Sequence, residues 1–263
     1  VDPGRRPLHL RHASANDGPQ FVRTVEWFQP HTRPPHLECR VRIVNRTPVV
    51  QTMLAFANAA VHANEQYQVI FPPATQFGTH HHKREFVEWP MARSRYGGAD
   101  FSGGVDVSWY RNHASANSIF AWNYRDDFVA GYDHGRKAGT MAVADHHIVP
   151  GKKFWTWGSG DHGQVWDKLL TDSDGPELEL MAGGYSDNEP DYSWLQPHRT
   201  KEVSHYFYPL REIASLKNAN LEAAAGLEVT GGTRARIAFN TTSRRDGARA
   251  VLRNDRRRDG HEP

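Results

Sequence analysis

The chain reads as an all-β protein, and three observations carry that reading. Leu37–Val44 alternates strictly, with Leu37, Cys39, Val41 and Ile43 on one face and Glu38, Arg40 and Arg42 on the other; this is the period of a half-buried strand. Short apolar or aromatic runs recur between turn pairs such as Gly97-Gly98, Gly103-Gly104, Pro150-Gly151 and Gly183-Gly184. Long helical periodicity is nearly absent. Closely spaced strands with little helix and many Gly/Pro turns fit a sandwich of sheets.

Taken in order, residues 1–20 are rich in Pro, Gly, Asn and Arg and predict an irregular start. After Leu37–Val44, Asn45-Arg46-Thr47-Pro48 makes a turn, and Val50–Val61 predicts the next strand. Val105–Tyr110, Ser118–Trp122, Gly139–Ala144, His146–Val149, Phe154–Trp157, Glu177–Ala182 and Glu202–Tyr208 also fit strands. Pro150-Gly151-Lys152-Lys153 between two of them signals a hairpin. The best helix is the short Asn218–Gly226 run, stopped by Gly226. Residues 21–230 are therefore expected to form one β-sandwich domain. Residues 231–263 are expected to be a basic tail or the start of an incomplete second β module.

Composition removes several classes of function. With 263 residues the chain can bury one sizeable core. Its mean hydropathy of −0.71 leaves no apolar membrane span, so no membrane partner is expected. The single Cys39 excludes an internal disulfide and a cysteine zinc site. The net charge of +2 hides an asymmetry, because nine arginines face four acids from Arg234 onward. The body is thus slightly acidic, and no nucleic-acid partner is expected. GxSxG, GxxxxGK[ST] and GxGxxG motifs are absent, which removes support for hydrolase-elbow, P-loop and dinucleotide chemistry.

The chemistry-bearing residues concentrate between Asp145 and Tyr208, which holds four of the eight tryptophans: Trp155, Trp157, Trp166 and Trp194. Flat aromatic faces beside carboxylates and imidazoles suit a sugar ring and proton transfer on it. Glu177 and Glu179 share one face of their strand by period two. They are surface acids if that face is open, and Glu179 is a positioned base if it lines a cleft. Trp155 and Trp157 likewise share a face, either as core or as a sugar-stacking wall. Among the 16 histidines, His62, His134, His146 and His147 lie at strand ends or beside acids. His80 and His82 share a strand face as a possible ligand pair, but no metal or other cofactor is expected.

The stretch Glu177–Pro209 resembles the C-terminal part of galactose mutarotases, or aldose 1-epimerases. Leu178-Glu179-Leu180 matches the strand bearing the family's catalytic Glu, Ser186-Asp187-Asn188 its following loop, and Trp194–Thr200 its final turn. Tyr132-Asp133-His134 looks like the family's Asp-His segment, Pro150–Gly158 its Pro-Gly strand, and Asn58…His62 its Asn-His segment. A closer resemblance, over residues 20–229, is to an uncharacterised bacterial family with a mutarotase-like β-supersandwich ahead of tetratricopeptide repeats. It is carried by Asn45-Arg46-Thr47-Pro48, Ala57–His62, Phe71-Pro72-Pro73, Gly131–Gly135, Asp145-His146-His147 and Ser193–Pro197.

The resemblance implies a galactose-mutarotase-like β-supersandwich, present here in part. It implies Glu179 as general base, with His134 or His62 as its proton-transfer partner. Asp133, Trp155, Trp157, Asp187, Trp194 and His147 are the expected substrate-binding residues. A sugar or oligosaccharide is the expected partner, and a full-length protein would add protein-binding repeats. Three functions stay open: acid/base chemistry at an anomeric centre, a glycoside hydrolase or transferase using paired carboxylates, and a carbohydrate-binding or scaffold domain. The expected compartment is the cytoplasm, with secretion or the periplasm left open.

Overall fold

A computed structural model describes residues 10–14, 23–30, 36–81, 85–96, 98–185, 193–232 and 234–251. Three antiparallel sheets stack in layers. The central sheet has seven strands in the order Leu10–Ser14, Arg23–Pro30, Leu37–Val44, Thr200–Arg211, Ala138–Val143, Phe128–Asp133, Tyr67–Ile70. The front sheet has six: Phe56–His62, Glu177–Gly183, Gly151–Thr156, Asn117–Trp122, Phe77–His80, Phe86–Glu88. The back sheet has three: Leu216–Ala219, Ala223–Thr230, Arg234–Thr241.

Alternation decides which faces meet. Leu178, Leu180, Phe154 and Ile119 of the front sheet pack on Tyr67, Val69, Val129 and Ala142 of the central sheet. The opposite face of the central sheet, with Phe128, Ala130, Tyr132, Met141 and Leu210, packs on Leu216, Ala219 and Ala224 of the back sheet. Phe128–Asp133 is accordingly buried at every position, as a strand covered on both sides must be. A third cluster, including Cys39, Val41, Ile43, Met53, Ala182 and Val203, closes one end between the central and front sheets.

Several sequence expectations are corrected. The 1–20 segment contributes the strand Leu10–Ser14, paired with Arg23–Pro30. Asn218–Gly226 is not a helix but the hairpin of Leu216–Ala219 with Ala223–Thr230. Its turn forms because the Asn220 side chain accepts the N–H groups of Glu222 and Ala223, and Ala224 fits flush against the core. Ala223–Thr230 then pairs with Arg234–Thr241, so a strand pair runs across residue 230. His146–Val149 is a turn, in which the Asp145 carbonyl accepts the N–H groups of Ile148 and Val149. Pro150-Gly151 therefore closes no hairpin. It ends a crossover from Ala138–Val143 in the central sheet to Gly151–Thr156 in the front sheet.

The helix Asp161–Leu170 was not anticipated. Its buried positions are Gly163 and Asp167, while Val165, Leu169 and Leu170 are exposed. That inverts the usual apolar stripe. Gly158, at φ +92°, turns the chain out of the front sheet into this helix. A side chain at Gly163 would strike the Gly158 carbonyl, so only glycine lets the first helical turn sit this close.

Candidate functional site

The face of the front sheet turned away from the core carries the unusual residues. Strand register places Ala60, Glu179, Trp155 and Ser118 in one row across four strands. His62 and Glu177 form the next row, paired directly across two strands. Since Leu178 and Leu180 point inward, Glu177 and Glu179 must point outward. The sequence expectation that these two acids share a face is met. The face they share is neither open surface throughout nor part of the main core.

An aromatic ladder runs across it. Trp166 from the helix stacks on Trp157 with ring centroids 4.5 Å apart and planes 19° from parallel. Trp157 meets Trp155 edge-on at 5.1 Å. Trp155 in turn meets the His81 imidazole at 5.2 Å. Trp155 and Trp157 are each half-buried, so the ladder offers ring surface to solvent while the helix braces one end.

Polar groups flank the ladder. The Asn58 amide donates to Glu179 Oε2 at 2.7 Å, fixing the carboxylate from the neighbouring strand. His81 Nδ1 is 2.7 Å from Ser118 Oγ. Lys153, on the same face, lies 4.4 Å from the centre of the Phe56 ring and 4.6 Å from that of Phe120.

Glu177 is the perturbed acid of the site. It is 8% exposed, and its pKa is pushed up to about 7 by burial first and then by the Glu179 and Asp167 charges. The Trp157 N–H offsets part of this, but falls short of a well-aligned hydrogen bond. Asp167, on the buried face of the helix, also has its pKa raised, mainly by burial. Below neutral pH, then, Glu177 is mostly protonated and neutral.

A stability consequence follows. Because the folded-state pKa of about 7 exceeds the unfolded value near 4.5, folding favours the protonated form. Glu177 therefore lowers stability progressively as pH rises from about 4.5 to about 7. In urea titrations across that range, Glu177→Gln should gain about 1–3 kcal/mol relative to the parent protein as pH rises. Parallel pH profiles for the two proteins would show that Glu177 titrates normally.

Residues 24–210 match the family model described as Domain of unknown function (DUF5107). The chain belongs to the DUF5107 family. Solved structures similar to this member of the family include a TPR-domain containing protein from Parabacteroides distasonis ATCC 8503. That match has 18% identity and a TM-score of 0.53, and covers 78% of this chain and 34% of that one. Slr1438 from Synechocystis sp. PCC 6803 matches at 12% identity and TM-score 0.53, covering 78% and 62%. A candidate aldose 1-epimerase from Escherichia coli K12 matches at 12% identity and TM-score 0.51, covering 78% and 65%. The chain thus spans from about a third to just under two thirds of those proteins. At such identities the likeness establishes fold alone: this DUF5107 chain is an all-β sandwich of the galactose-mutarotase-like kind. Among the described residues, no helix is long and apolar enough to cross a membrane.

The residues singled out from the sequence separate into groups. Glu179, Trp155, Trp157 and His62 come together on the front-sheet face. His134 does not join them. It follows Phe128–Asp133 in the central sheet, donates from Nε2 to Gln68 Oε1 at 2.9 Å, and packs on Trp109 at 4.8 Å and Tyr132 at 5.1 Å. Tyr132 belongs to the cluster facing the back sheet, so His134 sits on the far side of the central sheet from Glu179. Burial holds its pKa below the ordinary value, with Asp133 opposing and Arg111 assisting.

Asp133 is taken up by its own turn. It accepts from Asn64 Nδ2 at 2.6 Å and from the Gly135 and Arg136 N–H groups at 2.9 Å. Burial would raise its pKa, but these donors outweigh that and hold it low. Trp194, 65% exposed, lies on Ser193–Leu195 paired with Gln51–Met53, apart from the ladder. His147 lies on the crossover turn after Asp145. Asp187 lies outside the described residues.

Two contributors are not marked by the sequence: His81, and Asn58 as the partner of Glu179; Trp166, grouped by sequence with Trp155 and Trp157, joins them by stacking on Trp157. Parity within the histidine triplet drew attention to His80 and His82, not to His81 between them. The pairing of Ile119 with His80 is what brings His81 to Ser118.

Proposed function

We propose that the exposed face of the front sheet binds a sugar and interconverts its anomers. The observation that carries this reading is the placement of Trp155 between the Asn58-held Glu179 on one flank and His81 on the other. A pyranose laid on Trp155 has a carboxylate at one side and an imidazole at the other. Glu179 takes the proton of the anomeric hydroxyl as the C1–ring oxygen bond breaks. His81 gives a proton to the departing ring oxygen. When Ser118 donates its hydroxyl hydrogen to His81 Nδ1, the ring proton resides on Nε2. Rotation of the open-chain aldehyde and reversal of both transfers closes the other anomer. His62, next to Glu177 on the same face, is the alternative donor that the strand register allows.

Paired-carboxylate hydrolysis fits this face less well. Glu177 and Glu179 leave one strand on one side, whereas a glycosidic bond must be flanked by its two carboxyl groups. NMR exchange spectroscopy on a panel of free aldoses tests the proposal. Enzyme-dependent exchange between α and β signals of at least one sugar is expected. Saturation transfer from protein to sugar without anomer exchange would reduce the domain to a binding module.

Trp155→Ala separates sugar contact from packing. The ring is half-buried, so stability should change by about 1 kcal/mol or less. Sugar affinity should fall about tenfold, or roughly 1.4 kcal/mol, by titration calorimetry. A stability loss of several kcal/mol with affinity unchanged would make Trp155 a core residue.

A further inference from the structure

The crossover turn at Asp145–Val149 carries a second cluster, separate from the aromatic ladder. Asp145, His146 and His147 each offer one ligand atom, and these atoms lie within 4.8 Å of one another. His146 Nδ1 is 2.7 Å from Asp127 Oδ1, and the same oxygen accepts the His146 backbone N–H at 2.8 Å. A carboxylate on Nδ1 fixes the imidazole tautomer and leaves Nε2 as the unprotonated ligand atom, which is how proteins commonly support a metal-bound histidine. Asp145 Oδ1 accepts the His147 N–H at 2.9 Å, and the Asp145 carbonyl accepts from Ile148 and Val149. The turn that brings the three groups together is thereby braced by backbone bonds. Asp126, Asp127 and Asp145 all act on the buried Lys152 ammonium, so three carboxylates stand against one cation there.

We propose that Asp145, His146 and His147 bind a divalent transition-metal ion, with Asp127 orienting His146. Two imidazoles and one carboxylate are the ligand set that suits zinc or ferrous iron, with further positions left for water or a substrate oxygen. With His146 half-buried and held by Asp127, the exposed side chains of Asp145 and His147 are the ones that would rotate to close the ligand atoms to the roughly 3.3 Å edge of a tetrahedral zinc site. The three ligands are consecutive in the chain on one turn, so their assembly does not depend on strand register; His82, of the His80–His82 pair, lies outside the described residues. The site is independent of the anomerase reading and lies on the link between the central and front sheets.

Zinc chloride is the probe, titrated by calorimetry and followed by thermal melting of the same samples. One equivalent is expected to bind with micromolar or tighter affinity and to raise the melting temperature. His147→Gln, which removes a ligand from an exposed side chain, should weaken that event at least tenfold and abolish the thermal shift. Asp127→Asn should weaken it about 10–100-fold. Unchanged zinc affinity in His147→Gln, or no saturable one-equivalent event in the parent protein, would overturn the proposal. Because His147→Gln could disturb the turn, the melting temperature without zinc is compared first. If that variant is destabilised, His146→Gln replaces it and must lose the same event.

Discussion

Glu179→Gln should lower anomer exchange about 10²–10⁴-fold, the range a positioned general base supplies. The amide is isosteric, and the side chain it replaces is half-exposed at the sheet surface. The fold should therefore persist, with thermal unfolding within about 0.5 kcal/mol of the parent protein. Sugar affinity should also persist within about threefold, because Trp155 and the ladder behind it stay in place. Exchange spectroscopy and calorimetry on one preparation give both quantities. Full exchange activity in Glu179→Gln would remove this carboxylate from the chemistry. Asn58→Ala provides a graded control, since it frees Glu179 Oε2 without deleting the base.

Phe154→Ala should cost about 3–5 kcal/mol of folding stability. Phe154 is fully buried, and its ring lies 6.1 Å from those of Phe71 and Trp89 and 5.4 Å from His113. It is the front sheet's central aromatic plug against the central sheet, and partial relaxation cannot fill the void it leaves. For a chain of this size the melting temperature should drop by about 6–20 °C. Chemical denaturation gives the energy directly. The contrast with Trp155→Ala one position along is the informative part. Neighbouring residues on this strand should divide cleanly, the first affecting stability and the second affecting sugar binding. A Phe154 loss below about 1 kcal/mol would mean that the two faces of the strand are assigned the wrong way round.

Much of the architecture was legible where the hydrophobic period is strong and local. Cys39–Ile43 declares its buried and outward faces in the sequence alone, although at the start of the strand Leu37 is exposed and Glu38 buried, and Leu178 and Leu180 mark the inward face of Glu177–Gly183. The same period puts Glu179 on the outward face with Trp155. The rest depends on contacts distant in the chain. His81 enters the site only through the register of Phe77–His80 against Asn117–Trp122. His134, attractive beside Asp133, is carried to the other side of the central sheet by a strand buried on both faces. The Asp161–Leu170 helix was hidden because its packing face is made of Gly163 and Asp167 rather than leucines. The alanine run after Asn220 suggested a helix, but small side chains equally suit the tight stacking of the back sheet, where tertiary packing overrides propensity.

Among the described residues, Phe56–His62 has a single strand neighbour, Glu177–Gly183. The flanking bonds from Ala63 N–H to the Pro176 carbonyl and from Gly184 N–H to the Ala55 carbonyl set the phase of that ladder. Odd-numbered residues bond inward, and the amides of Phe56, Asn58, Ala60 and His62 point out to the sheet margin. Asn58, which steadies Glu179, is therefore mounted on an edge strand, held by one neighbour only among the described residues, where local opening is easier than at the sheet centre. The orientation of the proposed base is thus coupled to the opening equilibrium of a sheet edge. Whatever docks on that margin gains a handle on the carboxylate without touching it.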